Sequence, residues 1–130
     1  MGGTLTVPRG RDVRVTIRVR QPQVANANGD QPKLARVDLI RGTIARSARD
    51  RANDRNSTTR VERRFGPQHW RNEGDYLIID HIIRGLAQDS YIRVRGTNTE
   101  ELEPQPDPNG EDPWQDLWFY GNPIFLRKGE

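Results

Sequence analysis

Hydrophobic and polar residues alternate along much of this chain, and the period is two rather than 3.6. The cleanest case is Asp12 to Arg20, where Val13, Val15, Ile17 and Val19 interleave with Arg14, Thr16, Arg18 and Arg20. Four β-branched residues at that spacing predict a strand with one buried face. Ser90 to Asn98 repeats the pattern: Ile92 and Val94 point one way, Tyr91, Arg93 and Arg95 the other, and Gly96 closes the run. Shorter strands are predicted at Thr4–Val7, Leu34–Thr43 and Thr58–Phe65. Tyr76–Ile83 is apolar on both faces and reads as a central strand. The most apolar run, Trp118 to Leu126, closes the chain as a last strand that must dock into a core made earlier.

Pro8-Arg9-Gly10 and Gln21 to Lys33 are turn and loop segments by their Pro, Gly and Asn content. Gly66 to Gly74 reads as a turn region, and Gly85 to Asp89 as a short connection. Two long loops interrupt the strands. Ile44 to Ser57 is rich in Arg, Asp, Ala and Asn with almost no apolar stripe. Thr97 to Gln115 is acidic and contains Pro104, Pro106, Pro108 and Pro113, which exclude an ordinary helix or inner strand. The expected architecture is a single all-β domain over residues 1–130: an antiparallel β-sandwich, immunoglobulin-like in outline, with about seven strands.

Composition narrows the function classes. The 130 residues are 32 % hydrophobic and 30 % charged, so the core is economical. Net charge is +3, and because only Lys33 and Lys128 are lysines, almost all of the positive charge is arginine, whose planar fork suits carboxylate and phosphate. The absence of cysteine removes disulfides, thiolate metal sites and Cys nucleophiles. No apolar run is long enough for a membrane-spanning helix. The Met1-Gly2-Gly3 start, with no basic-then-apolar leader behind it, suggests a domain excised from a longer protein.

Catalytic chemistry finds little support. His69 and His81 are the two histidines, and they form no His-x-His or His-x-x-x-His pair. A catalytic zinc needs about three protein ligands, so no metal or other cofactor is expected, and the two rings read as ordinary strand and loop residues. No Gly-x-Ser-x-Gly elbow occurs. Asn26-Ala27-Asn28-Gly29-Asp30 has oxygen-bearing residues at alternate positions but lacks the closing Glu of a calcium loop, and a plain Asn/Gly turn is the favoured reading. Asp107 to Asp112 reads as a solvated turn in preference to a cation site. Arg14, Arg18 and Arg20 share one strand face and Arg93 and Arg95 another. In one sheet they would make a basic stripe for an anionic ligand, though pairing with nearby carboxylates is the favoured alternative. Those strands lack the exposed stacking aromatics of single-strand binders, which argues against nucleic acid.

The order of motifs resembles a known family. Thr6-Val7-Pro8-x-Gly10-x-Asp12-Val13-x-Val15-x-Ile17, then Ala35 to Gly42, then Ser90-Tyr91-Ile92-Arg93-Val94-Arg95-Gly96, then Asn122-Pro123-Ile124 is similar to the C-terminal β-sandwich region of secreted bacterial phosphoesterases of the PHP (polymerase and histidinol phosphatase) superfamily. The resemblance covers most of the chain apart from the two long loops. It implies an accessory domain that packs against an adjacent catalytic barrel, in a secreted or cell-envelope protein. That family's His-x-His metal motif has no counterpart here, so no catalytic residue transfers and the domain is expected to be inert alone. Tyr91, Arg93, Arg95, Trp118 and Tyr120 are the candidate partner-facing or ligand-facing residues, because Arg with Trp or Tyr is enriched at binding centres. The alternative is a binding module for a polyanion, using Arg93 and Arg95, or for a carbohydrate, using Trp70, Trp114 or Trp118.

Overall fold

A computed structural model of the chain describes residues 2–45, 54–100 and 117–130. Among them are nine strands: β1 (Gly3–Val7), β2 (Val13–Arg20), β3 (Arg36–Thr43), β4 (Arg60–Phe65), β5 (Arg71–Glu73), β6 (Tyr76–Ile83), β7 (Ser90–Thr97), β8 (Trp118–Tyr120) and β9 (Ile124–Lys128). They form two sheets. Sheet A runs β1-β9-β7-β3-β4, with β8 also paired to β7; sheet B runs β2-β6-β5. The pairs are antiparallel except β1 with β9, which is parallel. This distribution of strands between two sheets is the Greek-key order of an immunoglobulin-like sandwich.

Alternation explains the core. Val13 and Ile17 of β2 lie opposite Ile83 and Ile79 of β6, and all four are buried. From sheet A they meet Val37 and Leu39 of β3, Phe65 of β4, Ile92 of β7 and Leu126 of β9, with Val7 at the edge. Each such side chain contributes about 1.5–3 kcal/mol by leaving water.

The structure departs from the sequence reading in several places. The last strand is two strands. β8 pairs with Arg95–Thr97 and β9 with Ser90–Ile92 of the same neighbour, β7. Between them Gly121-Asn122-Pro123 bulges out, held by the Gly121 N–H donating to the Val94 carbonyl at 2.7 Å. Pro123 has no N–H to give to a ladder, so the break falls where the chemistry requires one. The turn region Gly66–Gly74 contains a 3₁₀ turn, Pro67–His69, and the unforeseen β5. The connection Gly85–Asp89 contains Leu86, which is fully buried. The supposed basic stripe does not exist: Arg14, Arg18 and Arg20 lie on sheet B, Arg93 and Arg95 on sheet A. On sheet B, Arg14 pairs with Asp80 and Arg20 with Asp75, both at 3.5 Å, while Arg18 stacks over Tyr76. Ile78, on the outer side of that sheet, is still buried, flanked by Arg18 on β2 and Arg71 on β5, whose stems shield it.

The Asn26–Asp30 segment is a self-contained turn. Asn26 Oδ1 accepts the backbone N–H groups of Asn28 and Asp30, and Asn28 Nδ2 donates to Asp30 Oδ2. Asn26 Oδ1 and Asp30 Oδ2 are therefore engaged within the turn, as in the plain Asn/Gly turn expected. Most of the Arg-rich loop (46–53) and of the acidic loop (101–116), including Trp114 and the Asp107–Asp112 cluster, lies outside the described residues.

Candidate functional site

The five residues singled out from the sequence share the outer face of sheet A. Strand β7 turns Ile92 and Val94 toward the core, which leaves Tyr91, Arg93 and Arg95 outside. In β8, Trp118 lies opposite Thr97 and Tyr120 opposite Arg95, so both rings fall on that outer side. Trp118 and Tyr120 stack with centroids 6.2 Å apart and planes 17° from parallel. The Arg95 guanidinium sits 5.2 Å from the Trp118 centroid, that of Arg36 5.5 Å from it, and that of Arg93 5.7 Å from Tyr120. Cations and rings therefore form one stacked column, each contact worth about 0.5–2 kcal/mol.

Tyr91 shares the face but not the column. Its ring lies on Gly42 of β3, where any Cβ would clash with it, and its hydroxyl is 2.5 Å from Thr59 Oγ1. Phe125 stands opposite Tyr91 on β9 and is partly exposed.

Beneath the column is a residue that the sequence reading passed over. Asp38 of β3 lies opposite Arg95 and is 1 % exposed. Arg95 Nε donates to its Oδ2 at 2.9 Å, while Arg36 Nε and Arg64 Nε lie 3.4 and 3.6 Å from Oδ1. Asp38 is thus the shared counter-ion of three guanidiniums. Arg93 Nε donates to the Gly121 carbonyl at 3.0 Å, which ties the bulge to the column. The face is thus rich in arginine and aromatic rings, and held in place from below. An acidic residue interrupting the apolar run Val37-Asp38-Leu39-Ile40 was the available signal.

The other sequence candidates lie elsewhere. Trp70 packs against the core. His69 and His81 are brought to one ring, Phe65, each edge-on at about 6 Å (6.0 and 5.8 Å). Among the described residues, no group of three or more His, Asp or Glu side chains is arranged to hold a metal ion. His69 Nδ1 accepts the Gly66 N–H at 3.0 Å. Burial holds the His81 imidazole below its ordinary value of 6.5, aided by Arg63 and opposed by Glu62.

That shift has a direction in stability. The folded state resists protonating His81 while the unfolded chain accepts the proton, so stability is full above pH 6.5 and declines as pH falls toward the folded-state value. Urea denaturation at pH 7.5 and 5.5 checks this: the decline is expected to be smaller in His81→Phe, which keeps the aromatic edge against Phe65. Asp12 and Asp80 do not confuse the test, because the hydrogen bonds from the Gly85 N–H and from the Thr16 hydroxyl, with Arg84 and Arg71 beside them, lower both carboxyls below 3.8. Their contributions are lost only at more acid pH. An equal decline in both proteins would assign the effect to another group.

Compared with family models, curated proteins and solved structures, the chain finds no match. Among the described residues no helix is long and apolar enough to cross a membrane.

Proposed function

We propose that this domain is a non-catalytic accessory module of a larger phosphoesterase of the PHP type, docking on its adjacent catalytic domain through the outer face of sheet A. The observation that carries this reading is the Arg93–Tyr120–Trp118–Arg95 column. Its composition is that of an interface centre, and its side chains are fixed by Asp38 and Gly121 before a partner arrives, so little ordering is left for binding to oppose. Tyr120 is 59 % exposed, and Phe125, opposite Tyr91 on the same face, is also partly exposed. The order of motifs along the chain supplies the kind of parent protein.

A second reading, a module for an anionic ligand, is favoured by the arginines gathered on the same face, Arg64, Arg93 and Arg95 among them. Nucleic acid fits less well, because Arg36, Arg95 and Tyr120 crowd the Trp118 ring on which a base would stack. The carbohydrate version loses Trp70 to the core.

Association in trans tests the docking reading. The probe is a PHP-type barrel encoded in the same reading frame or operon, mixed with this domain. The double substitution Arg93→Ala/Tyr120→Ala is expected to weaken binding about tenfold or more, in keeping with loss of two central anchors. Arg14→Ala/Arg18→Ala on the opposite sheet should change it little. Equal effects from the two pairs, no such barrel in the gene's surroundings, or metal-dependent phosphodiesterase turnover by the isolated domain would each defeat the proposal.

A further inference from the structure

Among the described residues the longest open sheet edge is that of β2, which ends the order β2-β6-β5 and has no strand on its other side. It keeps one unbroken register with β6, from Val13 opposite Ile83 to Arg20 opposite Tyr76, and contains neither proline nor glycine. The next pair in that register is Gln21 with Asp75, and the Gln21 N–H donates to the Asp75 carbonyl at 3.1 Å. Bonded and non-bonded pairs alternate in an antiparallel ladder, so Val13, Val15, Ile17 and Val19 spend their backbone groups on β6. The backbone groups of Arg14, Thr16, Arg18 and Arg20 point away from the sheet, and among the described residues none of them has a backbone partner. We infer that this edge takes up an extended segment of a partner protein as a fourth strand of sheet B, and that acidic side chains at alternate positions of the segment recognise Arg14, Arg18 and Arg20.

The two faces of the edge select the side chains that fit. On the outer face β2 presents three arginines and no acid. Arg14 lies 3.5 Å from Asp80, but that carboxylate is already held at 2.7 Å by both Arg71 and the Thr16 hydroxyl. Arg20 lies 3.5 Å from Asp75, and the side chains of Arg14 and Arg20 are 74 % and 66 % exposed. Arg18 lies over the Tyr76 ring and is exposed. An added strand would run on the side of β2 away from β6, where unlike charges on facing positions stabilise and like charges repel. On the inner face, Val15 and Val19 pack on the core but are only partly buried. The turn between Val7 and Val13 joins this edge to β1, the open edge of sheet A, where Leu5 faces inward by its register with Leu126 and is still half exposed. The inner positions of an added strand therefore call for apolar side chains.

A second copy of this chain fits poorly. Two β2 strands paired about Ile17 would set Arg14 opposite Arg20 and Arg18 opposite Thr16, with no acid on either strand. The arginines thus oppose self-pairing and favour an acidic partner. This edge belongs to the sheet opposite the stacked column, so the inference is independent of docking through that column.

The test uses the intact 15N-labelled domain, an octapeptide of alternating glutamate and valine, and a lysine–valine octapeptide as control, with amide exchange read by NMR. In the free domain the Arg14, Thr16, Arg18 and Arg20 amides should exchange fast and those of Val15, Ile17 and Val19 slowly. The glutamate peptide should slow the first four by about tenfold or more, less so at high salt, and the lysine peptide should not. Arg14→Glu/Arg18→Glu should reverse the preference between the peptides. Arg18→Pro removes one outward N–H and no bond to β6, and should weaken binding about fivefold, the worth of one main-chain hydrogen bond. No added protection, protection on β1 in place of β2, equal protection by both peptides, or unchanged binding by Arg18→Pro would each overturn the inference. Protection of the four amides that grows with domain concentration, without peptide, would give the edge to a second copy and refute it as well. The charge-reversed variant keeps the question answerable if Arg18→Pro proves unstable.

Discussion

Asp38→Ala is expected to destabilise the domain by about 3–5 kcal/mol, the range for removing one partner of a buried charge pair. The substitution deletes a small side chain, so the effect is electrostatic rather than a matter of volume. Asp38 is the shared counter-charge for Arg36, Arg64 and Arg95, and Arg36 is itself almost buried. Without it, guanidiniums gathered within 3.6 Å of one carboxylate face one another with that carboxylate gone. Arg95 would also lose its 2.9 Å hydrogen bond and with it the tether that holds it over Trp118. Chemical denaturation measures the loss, and a near-ultraviolet circular dichroism change should accompany it as the Trp118–Tyr120 stack loosens. Asp38→Asn keeps the shape and removes the charge, and should fall between Ala and the natural residue. Combining Asp38→Leu with Arg36→Met and Arg95→Met should recover most of the lost stability, since an apolar replacement of a buried ionic cluster is often neutral or better. A loss below about 1 kcal/mol for Asp38→Ala would mean that water screens the cluster as it screens a surface pair.

How far these features could be read from the chain depends on how local their causes are. Strands β2 and β7 were legible because alternation is a local property: Val13, Val15, Ile17 and Val19 name their own face, and so do Ile92 and Val94. The same rule put Tyr91, Arg93 and Arg95 outside, and the strand pairing then brought Trp118 and Tyr120 beside them. Strand β5 carries three exposed residues and no apolar signal, and it exists by pairing with Arg71 opposite Ile78. Asp38 matters through its register with Arg95, residues 57 positions apart, which no local window contains. The two Arg rows were separable only by knowing which sheet takes β2 and which takes β7. That partition is set by long-range packing rather than by either strand's own pattern.

Leu86→Ala is expected to cost about 2–5 kcal/mol, as a buried leucine in a packed core does, although Leu86 lies in no strand. The reason lies at the end of the sandwich, where the β6–β7 connection meets the turn between β1 and β2. Leu86 is fully buried among the core side chains. Its backbone is fixed by two hydrogen bonds to that turn: the Gly10 N–H donates to the Leu86 carbonyl at 3.0 Å, and the Leu86 N–H donates to the Arg11 carbonyl at 2.9 Å. Asp12 clamps the preceding residues, accepting the Gly85 N–H at 2.9 Å and a bond from Arg84. Gly85 takes φ +54°, a left-handed turn that aims the leucine inward. Backbone and side chain thus act together, and two variants separate them. Leu86→Ala leaves every one of those backbone bonds possible and empties the space beneath the turn. Gly85→Ala keeps the leucine and strains the backbone, at about 1–2 kcal/mol. Hydrogen exchange at the Gly10 amide distinguishes a plug from a loose loop. If Leu86 closes the core, protection at Gly10 and at the central strands should fall together in Leu86→Ala, by the amount denaturation reports. Loss of protection at Gly10 alone would show that this end opens by itself, with the rest of the sandwich indifferent to it.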